Sequence, residues 1–169
     1  MDDLPELIRL AGRTALLRRA RPPDLDGLVE LHRRCSAETL RRRFLGAPQT
    51  SGRALGCLVS QHATHTQLAM AGTEVVGAGS VFQAADPAEL AFLVRDDWQG
   101  RGLGRALLRR LAKAAVADGV RAVCLHTYAD NAVVRHLLDS YGLPGRGSIA
   151  DGVLTVRVDH QVIGSSATP

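Results

Sequence analysis

A glycine-rich turn between an apolar run and a long helical pattern has the residue types best suited to binding a ligand. The turn consists of Gln99, Gly100, Arg101, Gly102, Leu103, Gly104 and Arg105. Glycines let the backbone approach a ligand closely, and the helix that follows offers unpaired N–H groups and the positive end of its dipole. Both features favour a bound phosphate. The segment therefore predicts a site for a ligand that carries a diphosphate.

The glycine spacing excludes two common phosphate-binding loops. A dinucleotide loop needs G-x-G-x-x-G, but Arg105 stands three residues after Gly102. A P-loop needs a lysine directly after its last glycine, and no lysine follows these glycines. The remaining pattern, Q-x-x-G-x-G, resembles the acyl-CoA pyrophosphate loop of the GNAT superfamily of N-acyltransferases. The resemblance implies acetyl-CoA as the co-substrate.

The elements that must position this turn follow from the apolar periodicity. Residues 89–94 predict a strand, and residues 102–118 predict a helix that ends at a glycine. The chain as a whole predicts the order β-α-α-(α)-β-β-β-α-β-α-β-β. This order favours an α/β (α+β) fold with a mixed, mostly antiparallel sheet of about seven strands and helices on both faces. It matches the GNAT fold from about residue 13 to residue 160.

Three local signals mark further elements. Ser36 suits the N-cap of the second helix, and residues 53–61 predict a short third helix. Asp151 and Gly152 favour a two-residue hairpin turn between the last two strands.

The chain divides into one domain and two short ends. We expect residues 1–12 to form a weakly helical lead-in and residues 13–160 to form a single GNAT acetyltransferase domain. Residues 161–169 are small and polar, which predicts a disordered tail or a linker.

Three further segments carry a closer resemblance. They are residues 36–44 (SAETLRRRF), 88–94 (AELAFLV) and 129–131 (ADN). Together they are similar to bacterial protein-lysine acetyltransferases of the Pat type, whose GNAT domain acetylates acyl-CoA synthetases. The resemblance implies direct transfer of an acetyl group from acetyl-CoA to a protein lysine, for example on an acyl-CoA synthetase. Two alternatives remain open: a small-molecule amine as the acceptor, or a non-catalytic domain that senses acyl-CoA.

Glu89 is the candidate general base. A free lysine has a pKa near ~10.4, so its amine must lose a proton before it attacks a thioester. A carboxylate can take that proton, and Glu89 aligns with the glutamate that Pat-type enzymes use as base. The alternative interpretation is a solvated glutamate at a strand end.

Further cofactor contacts are expected on both sides of the turn. The strand residues Ala91, Phe92, Leu93 and Val94 should separate from the neighbouring strand and offer backbone groups to the pantetheine arm. Asp130 and Asn131 start a later helix, where each suits either an N-cap or a cofactor contact. Arg135, one turn further on, suits either the adenosine phosphates or an exposed surface.

The sequence assigns no general acid. Many GNAT enzymes place a tyrosine seven residues after this asparagine, but here the position is Leu138. Tyr128 and Tyr141 are the alternatives. His126 is expected to be a packed or surface residue, and Cys124 to have no neighbouring base, which predicts direct transfer rather than an acyl-enzyme.

Composition narrows the partners. The formal net charge is +4, Lys113 is the only lysine, and the arginines are dispersed without interleaved aromatic residues, so no nucleic-acid partner is expected. Cys35, Cys57 and Cys124 are widely spaced, which argues against a disulfide framework and a metal site. No secretory signal or membrane-spanning run is recognisable, so we expect a cytoplasmic protein.

Overall fold

One mixed sheet dominates the computed structural model, which describes residues 4–60, 64–83, 86–140 and 147–159. Within these residues the strands are β1 Glu6–Leu10, β2 Arg13–Arg19, β3 Thr64–Ala71, β4 Glu74–Phe82, β5 Ala88–Val94, β6 Ala122–Tyr128, β7 Gly147–Ala150 and β8 Val153–Asp159. Their order across the sheet is β1-β2-β3-β4-β5-β6-β8-β7. Neighbours are antiparallel except β5 and β6, which are parallel.

Helices cover both faces of this sheet, as predicted. They are α1 Leu25–Arg34, α2 Ala37–Phe44, α3 Gly52–Leu55, α4 Leu103–Ala117 and α5 Ala132–Asp139. Successive strand residues point to opposite faces. Val75 packs with Leu28 of α1, whereas Val76 packs with Leu107 of α4. The aliphatic core therefore forms two layers, one on each side of the sheet.

The amino-terminal segment differs from the prediction. Instead of a weak helix, the described part forms strand β1, which pairs antiparallel with β2. Ile8 is buried while the neighbouring Leu7 is 68% exposed, the alternation of an edge strand. Arg110 of α4, itself buried, donates to the Glu6 carboxylate at 3.3 Å. These contacts with distant residues favour a strand, and they bring the described sheet to eight strands rather than about seven.

Other element ends differ from the predicted ends by a few residues, or they lie outside the described residues. The short helix predicted over residues 53–61 is α3 followed by a single 3₁₀ turn, Gly56–Leu58. The two-residue turn at Asp151 and Gly152 is confirmed, since both residues have a positive φ (49° and 76°). The predicted tail at 161–169 and Tyr141 lie outside the residues that the structure describes.

The parallel pair in the middle of the sheet sets up the site. β5 and β6 pair only from Ala88 to Leu90, opposite residues 123–125. β5 then continues to Val94 and β6 to Tyr128 without further pairing between them. The strands therefore part beyond Leu90, which is the separation that the sequence predicted for residues 91–94.

Candidate active site

A cavity of about 420 Å³ lies where β5 and β6 part. One wall is formed by residues 90–94 of β5 and the opposite wall by residues 125–127 of β6. Helices α2 and α5 contribute Thr39, Arg42, Arg43, Val133, Val134, His136 and Leu137. The cavity extends to the glycine turn, so one continuous space joins the turn to the end of the β5–β6 pairing.

The glycine turn has the backbone shape expected of an anion cradle. Gly100 has φ = 69° and Gly102 has φ = 91°, values that other residues adopt only with strain. Gly102 is the N-cap of α4, so the first unpaired N–H groups of that helix follow it directly. Gly104 leaves open space, because a Cβ there would meet only the Phe92 ring, at 3.9 Å. All three glycines line the cavity.

The Gln99 side chain positions the glycine turn. Its side-chain Nε2 donates to the Val94 carbonyl at 2.9 Å and to Thr39 Oγ1 at 3.1 Å. The side chain thus connects the end of β5, the glycine turn and helix α2. The glutamine of the Q-x-x-G-x-G pattern shapes the loop through its side chain.

The structure brings most of the predicted cofactor-binding residues to the cavity wall. These are Ala91, Phe92, Leu93, Val94, Gln99, Gly100, Gly102, Gly104, Arg105 and Asn131. The side chains of the other four have different surroundings. Leu103 is buried in the core, Asp130 is exposed, and Arg101 and Arg135 donate to backbone carbonyls at 3.2–3.4 Å.

Asn131 caps helix α5, one of its two predicted roles, and also lines the cavity. Its Oδ1 accepts from the Val134 N–H at 3.4 Å, which makes Asn131 the N-cap of α5. The same oxygen accepts from Arg42 at 3.3 Å, and Nδ2 donates to Thr127 Oγ1 at 2.9 Å. The capping interpretation is confirmed, and Asn131 is only 6% exposed in this network.

Helix α2 supplies site residues that the sequence did not single out as cofactor contacts. Ser36 caps this helix, as predicted, by accepting from the Thr39 N–H. Thr39 and Ser36 also donate to the carboxylate of Asp96, which follows β5. The helix is therefore held against the entrance of the glycine turn. In the sequence, the signals for this contact were Ser36 and the acidic pair Asp96 and Asp97 after β5.

Glu89 lies at the narrow end of the gap. It is exposed, directly opposite Cys124 in the parallel pairing, and it does not line the cavity wall itself. Arg43 of α2 is near enough to interact with it: burial lowers the pKa of the Arg43 guanidinium, and the Glu89 carboxylate opposes that effect. Glu89 is thus placed beside a cationic cavity residue and next to the point where the strands part.

The expectation that Cys124 has no neighbouring base is wrong. Cys124 Sγ lies 3.5 Å from His126 Nε2, and His126 Nδ1 lies 3.0 Å from Thr155 Oγ1. Alternate residues of a strand share a face, so the Cys124-x-His126 spacing was the signal for this contact. Burial and, after it, the Glu89 carboxylate raise the pKa of the Cys124 thiol. The thiol is therefore neutral at physiological pH.

The position of the usual GNAT tyrosine faces away from the cavity. Leu138 is 6% exposed and packs in the core with Leu90 and Leu111. Its neighbour Leu137 lines the cavity instead. Tyr128 carries the Arg41 guanidinium over its ring at 4.3 Å.

The described residues contain no group of three or more His, Cys, Asp or Glu side chains arranged to hold a metal ion. No described helix has the length and apolar character needed to cross a bilayer. Cys35, Cys57 and Cys124 are free thiols.

Comparisons with known proteins agree with this geometry. A model of the acetyltransferase (GNAT) family matches residues 25–143. Acetyltransferase Pat of Mycolicibacterium smegmatis is 31% identical over 146 residues, which cover 82% of this chain but 44% of the relative. The chain thus spans less than half the length of that curated relative.

Solved structures show the same fold. The GNAT domain of S. lividans PAT superposes with a TM-score of 0.82 at 26% identity, covering 92% of this chain and 96% of that chain. PaiA N-acetyltransferase of Thermoplasma acidophilum, solved in complex with coenzyme A, gives a TM-score of 0.66 at 16% identity and covers 90% and 99% of the two chains. At that identity the likeness concerns the fold alone. On the family match, the chain belongs to the GNAT family of acetyltransferases and has Pat-type homologues.

Proposed function

We propose that this chain transfers an acetyl group from acetyl-CoA directly to a protein lysine, with an acyl-CoA synthetase as the substrate. One observation carries the proposal: a single cavity joins the glycine turn to the end of the β5–β6 pairing, where Glu89 lies. The likeness to Pat-type proteins supports the choice of acceptor. We place the domain from β1 onward, because that strand is part of the sheet.

The cavity suits acetyl-CoA along its whole length. The N–H groups after Gly102, with Arg105 beside them, suit the pyrophosphate. The pantetheine arm fits between the parted strands, where the β6-facing edge of residues 91–94 has no strand partner. The thioester then lies near Leu90, at the narrow end. Because β5 rises about 3.3 Å per residue, Val94 and Leu90 stand roughly 13 Å apart along this path.

The reaction follows from this placement. Glu89 takes a proton from the lysine ammonium, and the amine attacks the thioester carbon. A β5 backbone N–H beside the carbon stabilises the oxyanion that forms. The carbon–sulfur bond then breaks, the sulfur keeps the electron pair, and the nitrogen loses its second proton to solvent. Each transfer converts one ammonium and one thioester into one amide, one thiol and one released proton.

The charge beside the cavity favours a protein acceptor over a polyamine. Arg42 and Arg43 line the wall and Arg41 is exposed on the same helix. Glu38 of the same helix pairs with Arg41 at 2.8 Å and with Arg42 at 2.6 Å, which leaves the three arginines with a net positive charge. A polyamine carries several positive charges, which this net charge repels. A lysine with acidic residues beside it brings one positive charge to Glu89 and complementary negative charges to α2.

The test compares acceptors and variants under one assay. Radiolabelled acetyl-CoA is incubated with a purified acyl-CoA synthetase or with spermidine, and label transfer is measured. We expect transfer to the synthetase, and a loss of at least about tenfold in turnover for Glu89→Gln near pH 7 with acetyl-CoA affinity retained. Glu30→Gln, an exposed carboxylate on α1, is the matched control.

Each contrary result has a distinct meaning. Label on spermidine but not on the synthetase would support the small-molecule alternative. Tight acetyl-CoA binding with no labelled species in a whole-cell extract would support a sensing domain. Unchanged turnover in Glu89→Gln would remove Glu89 from the role of base.

A further inference from the structure

His126 lies at the narrow end of the gap between β5 and β6. The strands pair last at Leu90 and Leu125, and His126 is the next residue of β6. It is exposed and lines the cavity. Residues opposite each other in the pairing share a face, as do residues two apart on a strand. Glu89, Cys124 and His126 therefore lie together on one face, where the thioester is placed.

Two contacts fix the imidazole. Nδ1 lies 3.0 Å from Thr155 Oγ1, and Nε2 lies 3.5 Å from Cys124 Sγ. When the ring is protonated, both nitrogens donate, Nδ1 to the hydroxyl and Nε2 to the sulfur. Each ring nitrogen thus has a neighbour that can accept a hydrogen bond from the protonated ring, and the neighbour of Nε2 is a sulfur atom.

We propose that His126 is the general acid of the reaction and gives its Nε2 proton to the sulfur of the departing coenzyme A, a role that rests on the acetyl transfer proposed above. As the carbon–sulfur bond breaks, the electron pair on sulfur takes this proton, and the neutral imidazole is protonated again from solvent. A thiolate is a charged acceptor and attracts the N–H more strongly than a neutral thiol does. The Nε2–H therefore leaves Cys124 Sγ and donates to the coenzyme sulfur instead.

His126 then takes the role of general acid that a tyrosine has in many GNAT enzymes. Position 138 holds a leucine that packs in the core, so no acid reaches the cavity from it. An imidazole can give up a proton and take one back, so the same side chain can serve in every turnover. The raised pKa of the Cys124 thiol keeps that group from acting as a competing anion.

The charged groups around the ring come from four elements. They are Glu89 of β5, Arg157 of β8, Arg42 and Arg43 of α2, and His136 of α5. His136 also lines the cavity and is a second imidazole that can donate a proton. A shift in one limb of a pH profile is therefore not enough to identify the acid, and chemical rescue is required.

The experiment measures coenzyme A release with the acceptor that the wild-type chain labels. His126→Ala and His126→Gln are expected to retain acetyl-CoA affinity and to lower kcat by about 10²-fold. Added imidazole is expected to restore at least about tenfold of the loss in His126→Ala, with a pH dependence that follows the pKa of each substituted imidazole supplied. Thr155→Val should lower kcat, and Thr155→Ser, which keeps the hydroxyl, should restore it.

The outcomes separate this inference from the proposed function. A wild-type chain that labels no acceptor overturns both. An active wild type with little loss in His126→Ala, or with a loss that imidazole does not relieve, overturns the acid assignment alone. An acetyl adduct on Cys124 in the intact-mass spectrum, with Cys124→Ala inactive, also overturns it, because His126 would then be the base of a covalent route.

Discussion

The carboxylate of Asp96 accepts two hydrogen bonds from Ser36, one from the backbone N–H at 2.8 Å and one from Oγ at 2.6 Å. The two residues are 60 positions apart in the sequence. Ser36 caps α2, and Asp96 stands between β5 and the glycine turn. This contact joins the helix that carries Arg43 to the loop proposed to hold the pyrophosphate. The two walls of the cavity therefore depend on each other.

Asp96→Ala is expected to weaken both the fold and the binding of acetyl-CoA. The change removes acceptors for Ser36 and Thr39, and hydrogen bonds to a charged group contribute about 1.5–3 kcal/mol when well formed. Because Asp96 is exposed, we expect a loss of about 1–2 kcal/mol in unfolding free energy. Urea unfolding and calorimetric titration with acetyl-CoA measure the two effects.

The control for that variant is Asp139→Ala, at the exposed end of α5. Its unfolding free energy should change by no more than about 0.5 kcal/mol. If Asp96→Ala and Asp139→Ala behave alike, α2 and the glycine turn are not coupled through Asp96.

The elements predicted correctly from the sequence are those with local signals. The apolar run of β5, the glycines of the turn and the long α4 pattern each fall within a short window, where periodicity and turn chemistry decide the structure. The cap at Ser36 and the turn at Asp151 are local as well. Most of the expected cofactor-binding positions follow from these elements.

The features that were missed depend on contacts between distant segments. β1 is a strand because β2 pairs with it and α4 reaches Glu6, and neither partner is visible in its own pattern. His126 acquires its orientation from Thr155, on a strand 29 residues later. Leu138 and Leu137 are both apolar, so only packing decides which of them faces the cavity.

Gly104→Ala should separate ligand affinity from stability. Gly104 is in the first turn of α4 and has no positive φ, so alanine there is expected to raise the unfolding free energy by about 0.5 kcal/mol. The added methyl group points toward Phe92 and narrows the cavity, so the Kd for acetyl-CoA should rise. Thermal unfolding and titration with acetyl-CoA test the two directions.

Gly102→Ala is the companion change with the opposite effect on stability. Its φ of 91° strains any residue with a Cβ, at a cost of about 1–2 kcal/mol. If Gly104→Ala bound acetyl-CoA as tightly as the wild type, the ligand would not pass along the first turn of α4.

His32 should make the stability of the chain fall at acid pH. The ring is 2% exposed and its Nδ1–H donates to the Leu28 carbonyl at 2.7 Å. Burial lowers the pKa of His32, and the Arg43 guanidinium adds to this effect. The unfolded chain, with an ordinary histidine pKa near 6.5, therefore binds a proton that the folded chain resists.

The direction of the pH effect on stability follows from this difference in proton binding. Above about pH 6.5 the ring is neutral in both states, and below that value the unfolded state gains stability by protonation. Urea unfolding between pH 8 and pH 5 should show a decline, to which one such group adds at most about 1.4 kcal/mol per pH unit. His32→Gln should have a shallower slope. An identical slope in the variant would assign the decline to other groups.

A tyrosine introduced on α5 should act as an acid only at the position that faces the cavity. Leu138→Tyr forces a ring into the core beside Leu111, where overpacking costs about 1–3 kcal/mol, and it should not raise kcat. Leu137→Tyr places a phenol in the cavity wall. In the His126→Ala background, we expect it to raise kcat about tenfold by supplying a proton to the sulfur.

Leu137→Phe in the same background isolates the hydroxyl, because the two rings fill the same space. If the phenylalanine gave the same gain, better packing around the pantetheine arm would explain it and proton donation would not. We expect only the tyrosine to raise kcat, and to raise it most when His126 is absent. Two acids that protonate the same sulfur atom are redundant. In the wild-type background Leu137→Tyr should therefore change kcat little, and this non-additivity is read directly from the four rate constants of the double-mutant cycle.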